Sequence, residues 1–128
     1  YVGMGRTEEG LKKALTLLKE IRQEFETNVF IPGSTEGVNI ELEKALRLND
    51  FITMGELIAY DALNRNESCG GHFREEYQTE EGEAKRDDEN FFYVSCWEYQ
   101  GADEVAPVLY KEPLVYEAIK VQTRNYKS

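Results

Sequence analysis

The residue types that could do chemistry in this chain crowd into one short stretch. From Asn64 to Tyr77 the sequence reads NRNESCGGHFREEY, which holds the only histidine, a cysteine, two arginines and two adjacent glycines. Cys69 and His72 have a spacing that suits two metal ligands, with Cys96 as a distant third. Zinc sites usually supply four ligands, often in close pairs, and a fourth has no candidate here. Cys69 and His72 are also the types of a nucleophile and its base. A cysteine just past a helix C-terminus meets the negative end of the helix dipole, which disfavours its thiolate. A structural thiol and a hydrogen-bonded histidine are the better reading of the pair.

The other candidate motifs are weaker. The carboxylates between Glu75 and Glu89 match no EF-hand spacing. Gly33 and Gly37 lead into no Gly-Lys-Ser/Thr, and the G-x-G of Gly3 and Gly5 does not continue. The pair Gly70–Gly71 carries more information, because helix interiors avoid glycine. Flanked by Arg65, Glu67, His72 and Arg74, it predicts a place where the backbone bends or is closely approached, on a polar surface shaped for something else.

Two helices must position this corner. Thr7 is an N-cap candidate followed by Glu8 and Glu9, which suit a helix N-terminus. Leu11, Ala14, Leu15, Leu18, Ile21 and Phe25 recur at helical spacing, which predicts an amphipathic helix over Glu8 to Glu26. Pro32, Gly33 and Ser34 make Asn28 to Val38 a connection. Asn39 then caps a second helix that runs to about Asn64. That helix is apolar on two sides. Ala45, Leu48, Ile52, Gly55, Ala59 and Ala62 form one seam, and Phe51, Met54 and Ile58 form another. A hairpin covers one face of each helix, so the second seam calls for a further partner: the C-terminal half, or a helix upstream of Tyr1. Without that partner, the chain is expected to be marginally stable or to self-associate.

Beyond the corner, Thr79 to Asn90 is almost wholly charged and reads as a solvated loop. Phe91 to Tyr99 is aromatic and β-branched, hence strand; Gly101 to Val105 reads as a turn, and Leu114 to Arg124 as a strand that pairs back. No internal repeat is visible.

Composition narrows the partners. A net charge of -10 argues against nucleic acid and anionic membrane, since phosphate binding needs clustered Lys and Arg, and it favours a basic partner. Two cysteines make no disulfide framework, so a reducing compartment is expected. No apolar run approaches a membrane span, and no secretory signal is expected. The chain begins at Tyr1 rather than methionine, which suggests an interior fragment of a longer protein, a processed terminus being the alternative.

The stretch RNESCGGHFREEY followed by KRDDENFF resembles the C-terminal domain of the flavoprotein subunit of fumarate reductase and succinate dehydrogenase. That family's pattern is close to R-x-E-S-R-G-A-H-x-R-x-D-Y, then R-D-D-x-N-W. Arg65, Glu67, Ser68, Gly70, His72, Arg74 and Tyr77 match it, as do Arg86, Asp87, Asp88 and Asn90. GRTEEGLKKAL is similar to the family's turn into its second bundle helix, and the tail from YEAIKV to RNYKS fits its C-terminal end, so the likeness covers nearly the whole chain. Cys69 stands where arginine is usual, Gly71 where alanine is common, Glu76 where aspartate is and Phe91 where tryptophan is, and TEEGEA lengthens the loop.

The resemblance implies a mainly α fold, with a long antiparallel hairpin from a three-helix up-and-down, spectrin-repeat-like bundle and an extended tail with short strands. The first bundle helix would precede Tyr1. Residues 1–66 would be the bundle portion, and 67–128 the Gly-Gly corner, acidic loop and extended β-containing segment of the same domain. The family interconverts succinate and fumarate by hydride transfer at FAD and exchanges electrons with an iron-sulfur subunit. Its flavin- and dicarboxylate-binding residues belong to the FAD and capping domains. The resemblance therefore implies no catalytic, cofactor or metal residue in this chain. It implies a structural role, with Arg65, Glu67, Ser68, Gly70, His72, Arg74, Asp87 and Asp88 as domain-packing candidates. Implied partners are the FAD and capping domains and the iron-sulfur subunit, with no nucleic acid and no direct membrane insertion. The implied location is cytoplasmic, the parent complex lying peripherally on the cytoplasmic face of the inner membrane. L-aspartate oxidase and related FAD enzymes share the Glu-Ser-Arg-Gly-x-His motif, though RDDEN and the tail favour the succinate/fumarate branch. A free-standing helical interaction module starting at Met4 is the alternative of a different class.

Overall fold

The computed structural model describes residues 1–101 and 105–122. In chain order the elements are β1 (Gly5–Arg6), α1 (Glu8–Asn28), α2 (Ile40–Asn64), β2 (Phe73–Arg74), α3 (Asp88–Phe91), β3 (Tyr93–Glu98) and β4 (Val108–Pro113). The fold is mainly α, with a few short strands.

Both long helices start where side-chain chemistry dictates. Thr7 Oγ1 accepts from the Gly10 amide at 3.0 Å. Asn39 Oδ1 accepts from Glu41 and Leu42 at 3.1 and 3.2 Å. Each cap satisfies amides that the first helical turn leaves without partners. α1 and α2 then pack as a hairpin through Leu11 and Ala14 on one side and Ile52, Ala59 and Ala62 on the other, all buried. The small residues let the helices close up, and a Cβ placed on Gly55 would lie 3.7 Å from Leu18 Cδ2. Arg22 bridges the helices, donating to Glu56 at 3.0 Å and Thr53 at 3.2 Å.

Burial fades toward the connection. Ile21 and Leu48, expected in the packed stripes, are 49% and 45% exposed. The hairpin opens there into a groove of about 380 Å³ lined by Phe25, Phe30, Leu48 and Phe51 among others. The core therefore sits at the end where α1 begins and α2 finishes. The second seam of α2 faces outward, with Phe51, Met54 and Ile58 at 64%, 53% and 48% exposure.

β3 and β4 form an antiparallel pair, from Tyr93 opposite Pro113 to Glu98 opposite Val108. Trp97 fastens this pair to α2. Its indole N–H donates to Asp61 Oδ1 at 2.8 Å, and its ring meets Tyr60 edge-on at 5.1 Å.

Two sequence expectations change here. The strand partner of 93–98 is 108–113, not Leu114 to Arg124; residues 114–122 carry no strand, and 123–124 lie outside the described residues. Pro107 and Pro113 bracket β4 and disguise it, yet proline is tolerated at a strand's end because no ladder amide is lost inside. The charged run is not wholly loop, since Asp87 accepts from the Asn90 amide and caps the turn Asp88–Phe91, which delays the strand to Tyr93. Within the turn expected at Gly101 to Val105, residues 102–104 lie outside the described residues, and Gly101 takes a φ of +86°.

Two substitutions separate the faces of α2. Ile52→Ala is expected to cost about 2–4 kcal/mol by urea unfolding, as for a buried aliphatic truncation, while Met54→Ala stays within about 0.5 kcal/mol. Equal costs would mean that the wrong face has been placed inward.

Candidate functional site

The corner begins as a tight reversal. Cys69 and His72 exchange backbone hydrogen bonds of 2.8 and 3.0 Å, leaving Gly70 and Gly71 at the tip. Gly70 takes a φ of +58°, where a side chain is strained. The expected bend is there. A close approach by another of the described residues is not, since a Cβ on Gly70 or Gly71 would meet nothing of them within 4 Å. The returning strand β2 pairs in parallel with β1, through Phe73 N to Met4 O at 3.2 Å and Glu75 N to Arg6 O at 2.9 Å.

Ser68 and Arg74 lock the reversal from inside. The fully buried Ser68 hydroxyl accepts from the Arg74 amide at 2.8 Å and donates to the Arg74 carbonyl at 3.1 Å. The Arg74 guanidinium is 1% exposed. Its Nη1 donates to the carbonyls of Ala62 and Leu63, at 3.1 and 3.3 Å, in the last turn of α2. Those carbonyls have no acceptor duty within the helix, and α2 has no basic residue of its own in that turn. Arg74 Nε donates to Glu76 Oε2 at 3.0 Å. The other oxygen of Glu76 accepts from the Glu8 amide at 2.6 Å, in the first turn of α1. One ion pair thus places a cation at the C-terminus of α2 and an anion at the N-terminus of α1. Burial works to raise the Glu76 pKa, but the Glu8 amide and Arg74 outweigh it and hold the carboxyl below its ordinary value.

A second network runs outward from Arg65. It donates to Glu67 Oε1 at 2.7 Å and to the carbonyls of Phe91 and Tyr93 at 3.1 and 3.0 Å. Its guanidinium also lies 5.1 Å from the Tyr93 ring centroid. Buried Glu67 spends its remaining oxygen on the Asp87 amide at 2.9 Å. Asp88 turns away and pairs with Arg86 near the surface. Gly70 and Cys69 are exposed.

His72 joins Arg6 of β1 to the end of α2. Its Nδ1 lies 2.8 Å from Arg6 Nη1, and its Nε2 lies 2.9 Å from the Arg65 carbonyl. An arginine can only donate, so Nδ1 must accept and Nε2 must carry the proton. The ring is therefore neutral, and a second proton would point N–H at guanidinium. Burial lowers the His72 pKa first, and Arg6, Arg74 and Arg65 lower it further, against the Arg65 carbonyl, which raises it.

The predicted candidates thus fall into place unequally. Arg65, Glu67 and Asp87 share one network and Ser68 and Arg74 another, His72 bonds Arg6 and the Arg65 carbonyl, and Gly70 and Asp88 stand outside both networks. Sequence reasoning missed Arg6, Glu76 and Asp61, whose contacts lie 36 to 68 residues away in the chain. Among the described residues no three His, Cys, Asp or Glu side chains gather to hold a metal.

The family model for the fumarate reductase flavoprotein C-terminus matches residues 1–126. The chain belongs to this family. It is 34% identical over 89 residues to a fumarate reductase flavoprotein subunit of Serratia, covering 70% of this chain and 14% of that protein. It is 37% identical over 77 residues to an uncharacterized FAD-dependent oxidoreductase of Methanocaldococcus jannaschii, covering 60% of this chain and 13% of that protein. The chain therefore spans about one seventh of these relatives' length. Among solved structures, a quinol-fumarate reductase with menaquinol molecules superposes with a TM-score of 0.73 at 27% identity, over 92% of this chain and 19% of that one. A variant of the E. coli quinol fumarate reductase subunit FrdA gives 0.74 at 24% identity, over 94% and 20%, and shares the fold. Cys69 offers an exposed thiol at the base of the turn.

The neutral His72 sets a pH dependence. Its folded pKa lies below the ordinary 6.5, so the unfolded chain takes the proton first. The stability it contributes is whole above pH 6.5 and is lost as pH falls toward the folded value. Glu76, lowered from 4.5, adds a separate loss below that pH. Urea unfolding midpoints of the wild type are expected to fall between about pH 7 and pH 5, and those of His72→Gln to stay flatter across that window. Parallel curves for the two proteins would contradict the neutral imidazole.

Proposed function

We propose that the chain is the C-terminal part of a flavoprotein subunit that interconverts succinate and fumarate by hydride transfer at FAD, and that its own contribution is structural. The match of the family model over residues 1–126 is the observation that supports this most directly. Residues 1–66 serve as two helices of a three-helix bundle, and residues 67–128 as corner, acidic loop and tail of the same domain. A helix preceding Tyr1 covers Phe51, Met54 and Ile58, which are otherwise left in water. Arg65, Glu67, Ser68, His72, Arg74 and Asp87 shape the corner, and Gly70 and Asp88 meet the FAD and capping domains. The iron-sulfur subunit is a partner of the assembled enzyme. The parent complex is peripheral to the cytoplasmic face of the membrane; no helix among the described residues is long and apolar enough to cross one.

FAD belongs to the remainder of that subunit. The N-terminus of α1 does not fit a pyrophosphate, which would need open amides there, because Thr7 and the Glu76 carboxylate fill it. The chain alone is expected to show no flavin absorbance. The full reading frame that contains it is expected to purify with a flavin band and to reduce fumarate with a reduced electron donor. A product of the whole frame without flavin would overturn this reading.

A further inference from the structure

Arg6 is the one arginine among the described residues with no carboxylate beside it. Arg22, Arg47, Arg65, Arg74 and Arg86 each pair with one. Arg6 Nε donates to the Gly3 carbonyl at 2.7 Å and Nη1 to His72 at 2.8 Å, both neutral acceptors. Its Nη2 has no partner among the described residues. Arg6 is half-buried, so part of its hydration is lost without a counter-ion to offset the cost.

The same side chain lines an open groove of about 420 Å³ with Leu57, Ile58, Asp61, Val94 and Trp97. Ile58 and Val94 are 48% and 51% exposed, so the groove offers apolar surface next to an unmatched positive charge. Asp61 does not supply the missing anion. Its Oδ1 is taken by Trp97, and no ion pair joins it to Arg6. Its negative charge instead repels a carboxylate from that side of the groove and favours one entering at Arg6.

We infer that this groove receives a segment of the subunit lying outside Tyr1–Ser128, with a carboxylate set on Arg6 and a neighbouring apolar side chain laid against Ile58 and Val94. The inference rests on the proposed function, which makes this chain about one seventh of a longer polypeptide. Charge complementarity selects the occupant. The chain itself is strongly acidic, so a second copy would bring like charge to most of the contact.

Zero-length cross-linking of the whole subunit tests this. In the Arg6→Lys variant a carbodiimide joins the new amine to a touching carboxylate, with loss of water, whereas the wild-type guanidinium does not couple. The expected result is a cross-linked peptide between position 6 and an Asp or Glu outside the 128 residues, absent from the wild type. Cross-links only to Asp61, Asp103 or Glu104, a cross-linked dimer, or no new cross-link in a flavin-containing variant would each overturn the inference. If the variant fails to fold, the wild-type subunit decides: Arg6 is expected to resist phenylglyoxal before unfolding and to react after it, and ready reaction in the native subunit overturns the docking. A subunit without flavin would count against the proposed function instead, so the two failures are distinguishable.

Discussion

Arg74 lies between the end of α2 and the start of α1, and its guanidinium answers a problem that an antiparallel hairpin creates there. The last carbonyls of one helix and the first amides of the other crowd together at the packed end. Each set is unpaired within its own helix, and the partial charges are opposite in sign. Arg74 satisfies the Ala62 and Leu63 carbonyls directly, and through Glu76 it serves the Glu8 amide. Burying a guanidinium this deeply is favourable only because its charge and donors are met. Ser68 fixes the Arg74 backbone from the opposite side, which makes the Gly70–Gly71 reversal part of the same arrangement.

The rest of the molecule follows from that fixed end. Leu11, Ala14, Ala59 and Ala62 are buried near it, Ile52 is buried halfway along α2, and burial declines beyond that toward the connection. β1 is carried in by its pairing with β2, and His72 ties it to α2 by bonding Arg6 and the Arg65 carbonyl. Arg65 and Glu67 then bring the Asp87 turn and the start of β3 against the corner, while Trp97 secures the hairpin strands on α2. The result is a polar end closed by hydrogen bonds and an apolar flank left open.

Local physics was legible in the sequence. Thr7 and Asn39 announce the helix starts because a cap is a contact over two or three residues, and the two-sided apolar pattern of α2 follows from spacing alone. The residue types of the corner also stood out, since Gly-Gly beside Arg, Glu and His is uncommon in any regular element. What the sequence concealed was which groups meet. The Glu76–Glu8 and Arg6–His72 contacts depend on α1 returning beside α2, and Glu76 reads locally as one more surface carboxylate in an acidic run. β4 was missed because Pro107 and Pro113 resemble loop signals and because Leu114 onward has more β-branched residues, whereas hairpin register selects the nearer segment.

A double-mutant cycle between Arg74 and Glu76, read by urea unfolding at neutral pH, tests the central claim most directly. If this pair joins the two helix ends, Arg74→Met and Glu76→Gln each destabilise the chain, and the double variant loses less than their sum by about 1 kcal/mol or more. Additivity within about 0.5 kcal/mol would show that the two residues act independently and that the hairpin end is held by something else.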